Sequence, residues 1–115
     1  MLLRRGQLDD ADVRAAPFPL LIAHDVLDPV SMDPLDTGFP RYAGAGYFPH
    51  DTGDCGEAVN ALVAELTSPA FADDLGARLG IERMSQYPPL VTICRSLNLR
   101  HGSIHTDSAS KVASA

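Results

Sequence analysis

Residues 54–80 constrain this chain more than any other stretch, because two amphipathic helical patterns follow one another there with almost no linker. Asp54 stands three residues ahead of Glu57, the spacing of a capping box, and Val59, Leu62, Val63 and Leu66 then recur at i, i+3, i+4 and i+7. Ser68-Pro69 restarts the pattern, Phe71, Leu75 and Leu79 follow at steps of four, and Gly80 stands where a left-handed residue closes a helix. Each helix has one apolar face to bury. The spacing therefore predicts two helices, joined at Thr67-Ser68 and laid over a sheet.

Shorter signals flank this pair. Residues 9–15 read as a short helix, with Asp9, Asp10 and Asp12 favouring its N-terminus and Pro17 stopping it. Residues 20–23 read as a short strand. Asp28 followed by Pro29 opens another helix, which Pro34 should shorten or break by disfavouring helical geometry at Asp33. Residues 38–49, rich in Gly and Pro, read as irregular. Residues 90–99 alternate imperfectly, with Val91, Ile93, Arg95 and Leu97 on one side and Thr92, Cys94 and Ser96 on the other. A turn at His101-Gly102 then leads into a last strand. Helices first and strands last is an α+β order.

Composition narrows the function classes. The 115 residues are 45% hydrophobic and 21% charged, ordinary for one soluble domain. A net charge of -6, with one lysine and scattered arginines, argues against a nucleic-acid partner, because phosphate neutralisation needs clustered cations. Only two apolar residues separate Met1 from Arg4 and Arg5, and no apolar run of membrane-spanning length follows. A cytoplasmic location without a membrane partner is the expectation. Cys55, in a polar turn, and Cys94, in an apolar strand, form no Cys-x-x-Cys, so neither a disulfide nor a redox pair is expected.

The chemistry-bearing residues lie near residue 105. If the segment is extended, His105 and Asp107 leave the same face at i and i+2 and present an imidazole nitrogen beside a carboxylate oxygen. Two histidines and one carboxylate on one face of Fe(II) form the facial triad of non-haem iron oxygenases, so the pair supplies two of three positions. A bare His-x-Asp is common by chance, and the competing reading is a solvated turn in which Asp107 bonds its own backbone.

The surrounding residues are more specific. The run Gly102-Ser-Ile-His-Thr-Asp-Ser-Ala-Ser-Lys resembles the first metal-binding strand of a bacterial branch of the 2-oxoglutarate/Fe(II)-dependent oxygenases, related to prolyl hydroxylases. Further landmarks occur in order: Phe18-Pro-Leu-Leu-Ile, Gly38-Phe-Pro, the Gly44-Ala-Gly-Tyr-Phe-Pro loop, the two helical stretches, Gly80-Ile, and Leu90-Val-Thr-Ile-Cys-Arg. The resemblance spans residues 15–111.

The resemblance implies an α+β fold in which N-terminal helices pack on the first strands of an incomplete double-stranded β-helix, a jelly roll. Residues 1–89 would form the helical and loop region and residues 90–115 the first strands, within one partial domain. It implies His105 and Asp107 as ligands to Fe(II), 2-oxoglutarate as co-substrate, and hydroxylation of a small-molecule or protein substrate. The family's second metal histidine and the arginine for the distal carboxylate of 2-oxoglutarate have no counterpart here, and residues 112–115 depart from the family pattern. Truncation, a frameshift or a cloning boundary is therefore expected, with an inactive isolated chain. The alternative is a non-catalytic remnant that binds a partner or oligomerises. An incomplete jelly roll leaves open strand edges, so marginal stability or self-association is expected.

Lys111 has two readings, a contact to the acid co-substrate or an ordinary edge lysine. Ser108-Ala-Ser-Lys also matches Ser-x-x-Lys of penicillin-binding enzymes, but the partner Ser-Asp-Asn and Lys-Thr-Gly motifs are absent. His101 reads as an exposed turn residue, His50 as surface, and His24 as a helix-entry residue. Tyr42, Tyr47 and Tyr87 are too separated for a stacking platform and read as core or loop anchors.

Overall fold

The computed structural model describes residues 2–102 and 110–115, and shows a mixed helix and antiparallel-strand architecture. A 3-10 helix, Arg5–Asp10, leads into β1 (Asp12–Arg14) and β2 (Leu20–Ile22). Next come α1 (Met32–Gly38), β3 (Tyr47–Pro49), α2 (Glu57–Leu66), α3 (Pro69–Leu79) and β4 (Thr92–Cys94). Strands therefore alternate with helices instead of following them, which corrects the expected order. The α+β class stands.

The 3-10 helix and β1 replace the helix expected at residues 9–15. Arg78 of α3 explains the switch: its Nη1 donates to Leu8 O at 2.7 Å and its Nη2 to Asp9 Oδ1 at 2.8 Å. The guanidinium thus takes a carbonyl and a carboxylate that a continuing helix would have used. Beyond it, Arg14 Nε donates to Asp12 Oδ2 at 2.9 Å, an i, i+2 pair on one side of an extended strand. β1 pairs antiparallel with β2 in the register Asp12 to Ile22 and Arg14 to Leu20, which bears out the strand expected at residues 20–23.

Asp28 caps as expected, its Oδ1 accepting from Val30 N at 3.1 Å, with Pro29 in the first helical position. A 3-10 turn, Pro29–Ser31, runs directly into α1. Pro34 does not break that helix. It is the third residue of α1, where a missing N–H leaves no intrahelical bond unmade.

The capping box at Asp54 does not form. Gly56 is the N-cap of α2, with its N–H donated to Gly38 O at 2.8 Å, and Asp54 instead accepts from the Tyr42 hydroxyl. Gly56 has to stand there because the chain ends of α1 and α2 touch backbone to backbone: a Cβ on Gly56 would lie 2.6 Å from Gly38 Cα. The start and stop of α3 follow the sequence. Ser68 Oγ accepts from Phe71 N at 3.3 Å, Gly80 is left-handed at φ 79°, and Ile81 N returns to Gly76 O at 2.7 Å in a Schellman closure.

Polar contacts then tie the N-terminal segment to α2 and α3. Glu65 Oε1 and Oε2 accept from Leu2 N at 2.8 and 3.0 Å, and Glu65 Oε2 from Leu3 N at 3.0 Å. Asp74 bridges Arg5 and Arg78, each at 3.0 Å. The apolar core is small: among the described residues Leu3, Leu8, Val59 and Ile93 are the buried hydrophobic side chains. The accessible surface is 8303 Å², against about 6,100 Å² for a compact monomer of this mass. Exposed apolar side chains, among them Val30, Leu90 and Leu99, contribute to that excess.

Two outcomes follow. Gly56→Ala should cost about 1–3 kcal/mol by urea unfolding, because neither backbone can retreat, whereas Gly6→Ala, with open space around its Cβ, should be neutral within error. Acid should weaken the clamp. The Arg5 hydrogen bond, followed by Arg78, holds the Asp74 carboxyl below its ordinary value, and the Ser85 N–H and hydroxyl do the same for Asp73. A lowered folded-state value gives stability that is present above the unfolded value and lost as pH falls through the folded one. The urea midpoint should hold above about pH 5 and fall below about pH 4, and Asp74→Asn should lower the neutral-pH midpoint and flatten that fall.

Candidate functional site

His105 and Asp107 lie outside the described residues, so the structure bears on them through the elements that lead to them. The approach is the β3–β4 ribbon. Tyr47 stands opposite Cys94, Phe48 opposite Ile93 and Pro49 opposite Thr92. The pairing continues at both ends through Gly46 N to Ser96 O at 2.8 Å and His50 N to Val91 O at 3.1 Å. Ile93 is buried while Thr92 is exposed, which matches the expected sides of that strand. The regular part is shorter than residues 90–99, for Leu90 is 82% and Leu99 100% exposed. β3 itself was not legible in the irregular stretch at 38–49.

Beyond β4 the chain turns at residues 98–101, where His101 N donates to Asn98 O at 3.1 Å. The imidazole closes the same turn, its Nδ1 accepting from Asn98 N at 3.1 Å. An accepting Nδ1 puts the ring proton of the neutral form on Nε2. That edge packs on Gly46, where a Cβ would lie 3.2 Å from Nε2, and the ring stands edge-on to Tyr47 with centroids 6.3 Å apart. His101 is therefore a half-buried turn anchor, more enclosed than the exposed residue expected.

His50, expected at the surface, is half-buried and bonded to α2, with Nε2 2.9 Å from Asn60 Oδ1. Asn60 Nδ2 lies 3.1 Å from Thr52 O and 3.3 Å from Cys55 O, so the amide group has both its donors facing carbonyls. Its oxygen must then accept, which makes His50 Nε2 the donor. Asn60 escaped sequence reasoning. Its signal was a polar amide inside an otherwise apolar helical run.

Around this loop Tyr42 donates to Asp54 Oδ2 at 2.8 Å and its ring lies 4.5 Å from that of Phe48. The hydrogen bond, aided by burial and by the Asp54 charge, pushes the Tyr42 phenol up to about 12. Burial, then Asp54 and Asp51, push the Cys55 thiol up, which suppresses its reactive thiolate. Cys55 and Cys94 are both free. His24 is exposed, beside Asp25 at φ 56°. Lys111 is exposed. Among the described residues no group of three or more His, Cys, Asp or Glu is placed to hold a metal ion. No helix among them is long and apolar enough to cross a membrane.

Comparison with family models, with curated proteins and with solved structures finds no match.

The approach to residue 105 can be tested through Gly46, whose φ of +121° is strained for any side chain. Gly46→Ala should cost about 1–3 kcal/mol by urea unfolding. The cost should be smaller in a His101→Ala background, where the backbone strain remains and the ring contact is gone. Equal costs in both backgrounds would remove the imidazole from its assigned role.

Proposed function

We propose that the chain is part of a 2-oxoglutarate- and Fe(II)-dependent oxygenase of the hydroxylase type, with His105 and Asp107 as metal ligands. In this reading residues 90–115 belong to the first strands of a double-stranded β-helix, and the location is cytoplasmic. The observation that carries the proposal is the run from Gly102 to Lys111, with its landmarks upstream in order. A structural fact supports it: two of those landmarks, the Gly44-to-Pro49 loop and the Leu90-to-Arg95 strand, are hydrogen-bonded neighbours through β3 and β4.

The donor set fits the metal in part. One imidazole and one carboxylate are two of the three protein positions of a facial triad. His50 and His101 have ring nitrogens committed to Asn60 and Asn98, and no histidine follows His105. The third ligand and the arginine for 2-oxoglutarate would come from outside these residues, and the isolated chain would be inactive. Fe(II) and 2-oxoglutarate, when bound, supply the oxidising power. In this reading the chain would contribute two donors, which share one face if their segment is extended, with Lys111 as a cation for the co-substrate carboxylate. The substrate would be a small molecule or a protein side chain.

A second reading, a non-catalytic module that associates with itself, is favoured by the sheets. Among the described residues each has two strands, with no further strand on its outer edges, and Val13, Ile22 and Tyr47 are exposed beside them.

Anaerobic Fe(II) titration of the full chain tests the first reading. His105→Ala and Asp107→Ala should each weaken retention more than about tenfold, with the far-ultraviolet circular dichroism unchanged. Unchanged retention would remove the site. Sedimentation showing a dimer that ignores Fe(II) and 2-oxoglutarate would transfer support to the second reading.

A further inference from the structure

Tyr87, Pro88, Pro89 and Leu90 link a 3-10 turn, Met84–Gln86, to β4, and all four are exposed, Tyr87 at 44% and Leu90 at 82%. Sequence alone makes Tyr87 a core or loop anchor. The structure leaves it at the surface beside a second large apolar side chain.

Local chemistry fixes this backbone. The pyrrolidine rings hold φ of Pro88 and Pro89 at about -65°. Tyr87 and Pro88 each precede a proline, which disfavours helical geometry and sets ψ at about 120–160°. Tyr87 accordingly lies at φ -94° and ψ 132°, and residues 88–91 belong to no helix, strand or turn. This is the polyproline II region. That helix has three residues per turn and rises about 3.1 Å per residue, so Tyr87 and Leu90, at i and i+3, share one edge.

The polar groups of the run are also open. Pro88 and Pro89 have no N–H, and among the described residues nothing donates to the carbonyls of Tyr87, Pro88 or Pro89. Both ends are nevertheless held. Ser85 N and Oγ donate to Asp73 at 2.9 Å each, and Tyr87 N donates to Met84 O at 3.1 Å. At the other end Val91 O accepts from His50 N at 3.1 Å. A run stretched between two fixed points has little conformational freedom left to lose on binding.

We propose that residues 87–90 are a docking ligand for a protein with an aromatic-lined groove that recognises polyproline II. The backbone selects that partner. Such a groove packs aromatic rings on pyrrolidine faces and donates from indole or phenol groups to carbonyls, and this run offers both. A partner that adds a strand needs N–H groups, which two adjacent prolines lack. A partner that takes a helix finds none here. A second copy of this chain fits poorly, since it has no tryptophan to supply an indole donor. The proposal is independent of the oxygenase reading, because none of these residues is a metal ligand and the contact needs no Fe(II).

The test uses purified SH3, WW and EVH1 domains, immobilised and titrated with the 115-residue protein. At least one should bind, and replacing the tryptophan of its own groove by alanine should weaken that binding about tenfold or more. Tyr87→Ala and Leu90→Ala should each weaken it about tenfold, and the Pro88→Ala, Pro89→Ala double variant about fivefold. Val30→Ala, which removes an aliphatic side chain that is 81% exposed elsewhere, should change nothing. Leu90→Ala should also leave the melting curve in place, which separates loss of a contact from loss of the fold. Binding by none of the domains would overturn the proposal. So would binding that survives the Tyr87 and Leu90 substitutions, ignores the groove tryptophan, or falls equally with Val30→Ala. Self-association that depends on Leu90, without capture by any domain, would overturn it by giving this edge to a second copy.

Discussion

The rest of the structure depends on one carboxylate, Asp74, held between Arg5 and Arg78. Arg78 reaches onward to Leu8 O and Asp9, and Glu65 one helix earlier receives the N–H groups of Leu2 and Leu3. Residues 2–10 are thereby tied to helices more than sixty positions away in sequence. Ion pairs this exposed contribute little energy singly. Their effect here is positional. They end a helix at Asp10, turn the chain into β1, and bring Leu3 and Leu8 to the same groove as the apolar face of α3.

Such a clamp matters because side-chain packing is sparse. Where a larger core would interdigitate aliphatic groups, this chain brings backbone onto backbone. Gly38 meets Gly56 where α1 passes the start of α2, and Gly76 admits the Ile81 carbonyl and Met84 against α3, each approach too close for a Cβ. Close backbone contact gives dispersion without side-chain entropy. It covers little apolar area, however, which leaves the Phe71, Leu75 and Leu79 face bordering an open groove.

What could be read in advance follows from the range of each signal. Ser68, Pro69 and Gly80 act on their own helix, so the limits of α3 were visible in the sequence. The strand at Leu20–Ile22 had its own apolar run. β1 and β3 span three residues each, too short for periodicity, and their partners are chosen by contacts from elsewhere: Arg78 for β1, and β4 forty-five residues later for β3. Asp54 looked like a cap because spacing is local, but the Gly38 contact moved the cap to Gly56. At the candidate site the same division holds. The His105-Asp107 spacing is a local pattern, whereas the bond from His50 to Asn60 exists only once the loop after β3 folds back onto α2.

The two functional readings differ less in donors than in enclosure. Holding a metal ion needs ligand atoms in the right arrangement, but oxidising chemistry also needs a site from which water is excluded. The β3–β4 ribbon is held as far as the turn at residues 98–101 through Gly46, His101 and the loop pinned by Asn60. Its other features are open: Thr92 and Pro49 face outward, Tyr47 is 58% exposed, and no third strand among the described residues covers either edge. Two strands cannot by themselves enclose a metal site. Catalysis in this family reading therefore requires further strands for the wall of the pocket as much as for the third ligand. A binding module requires neither, because the same open edges are then the contact surface.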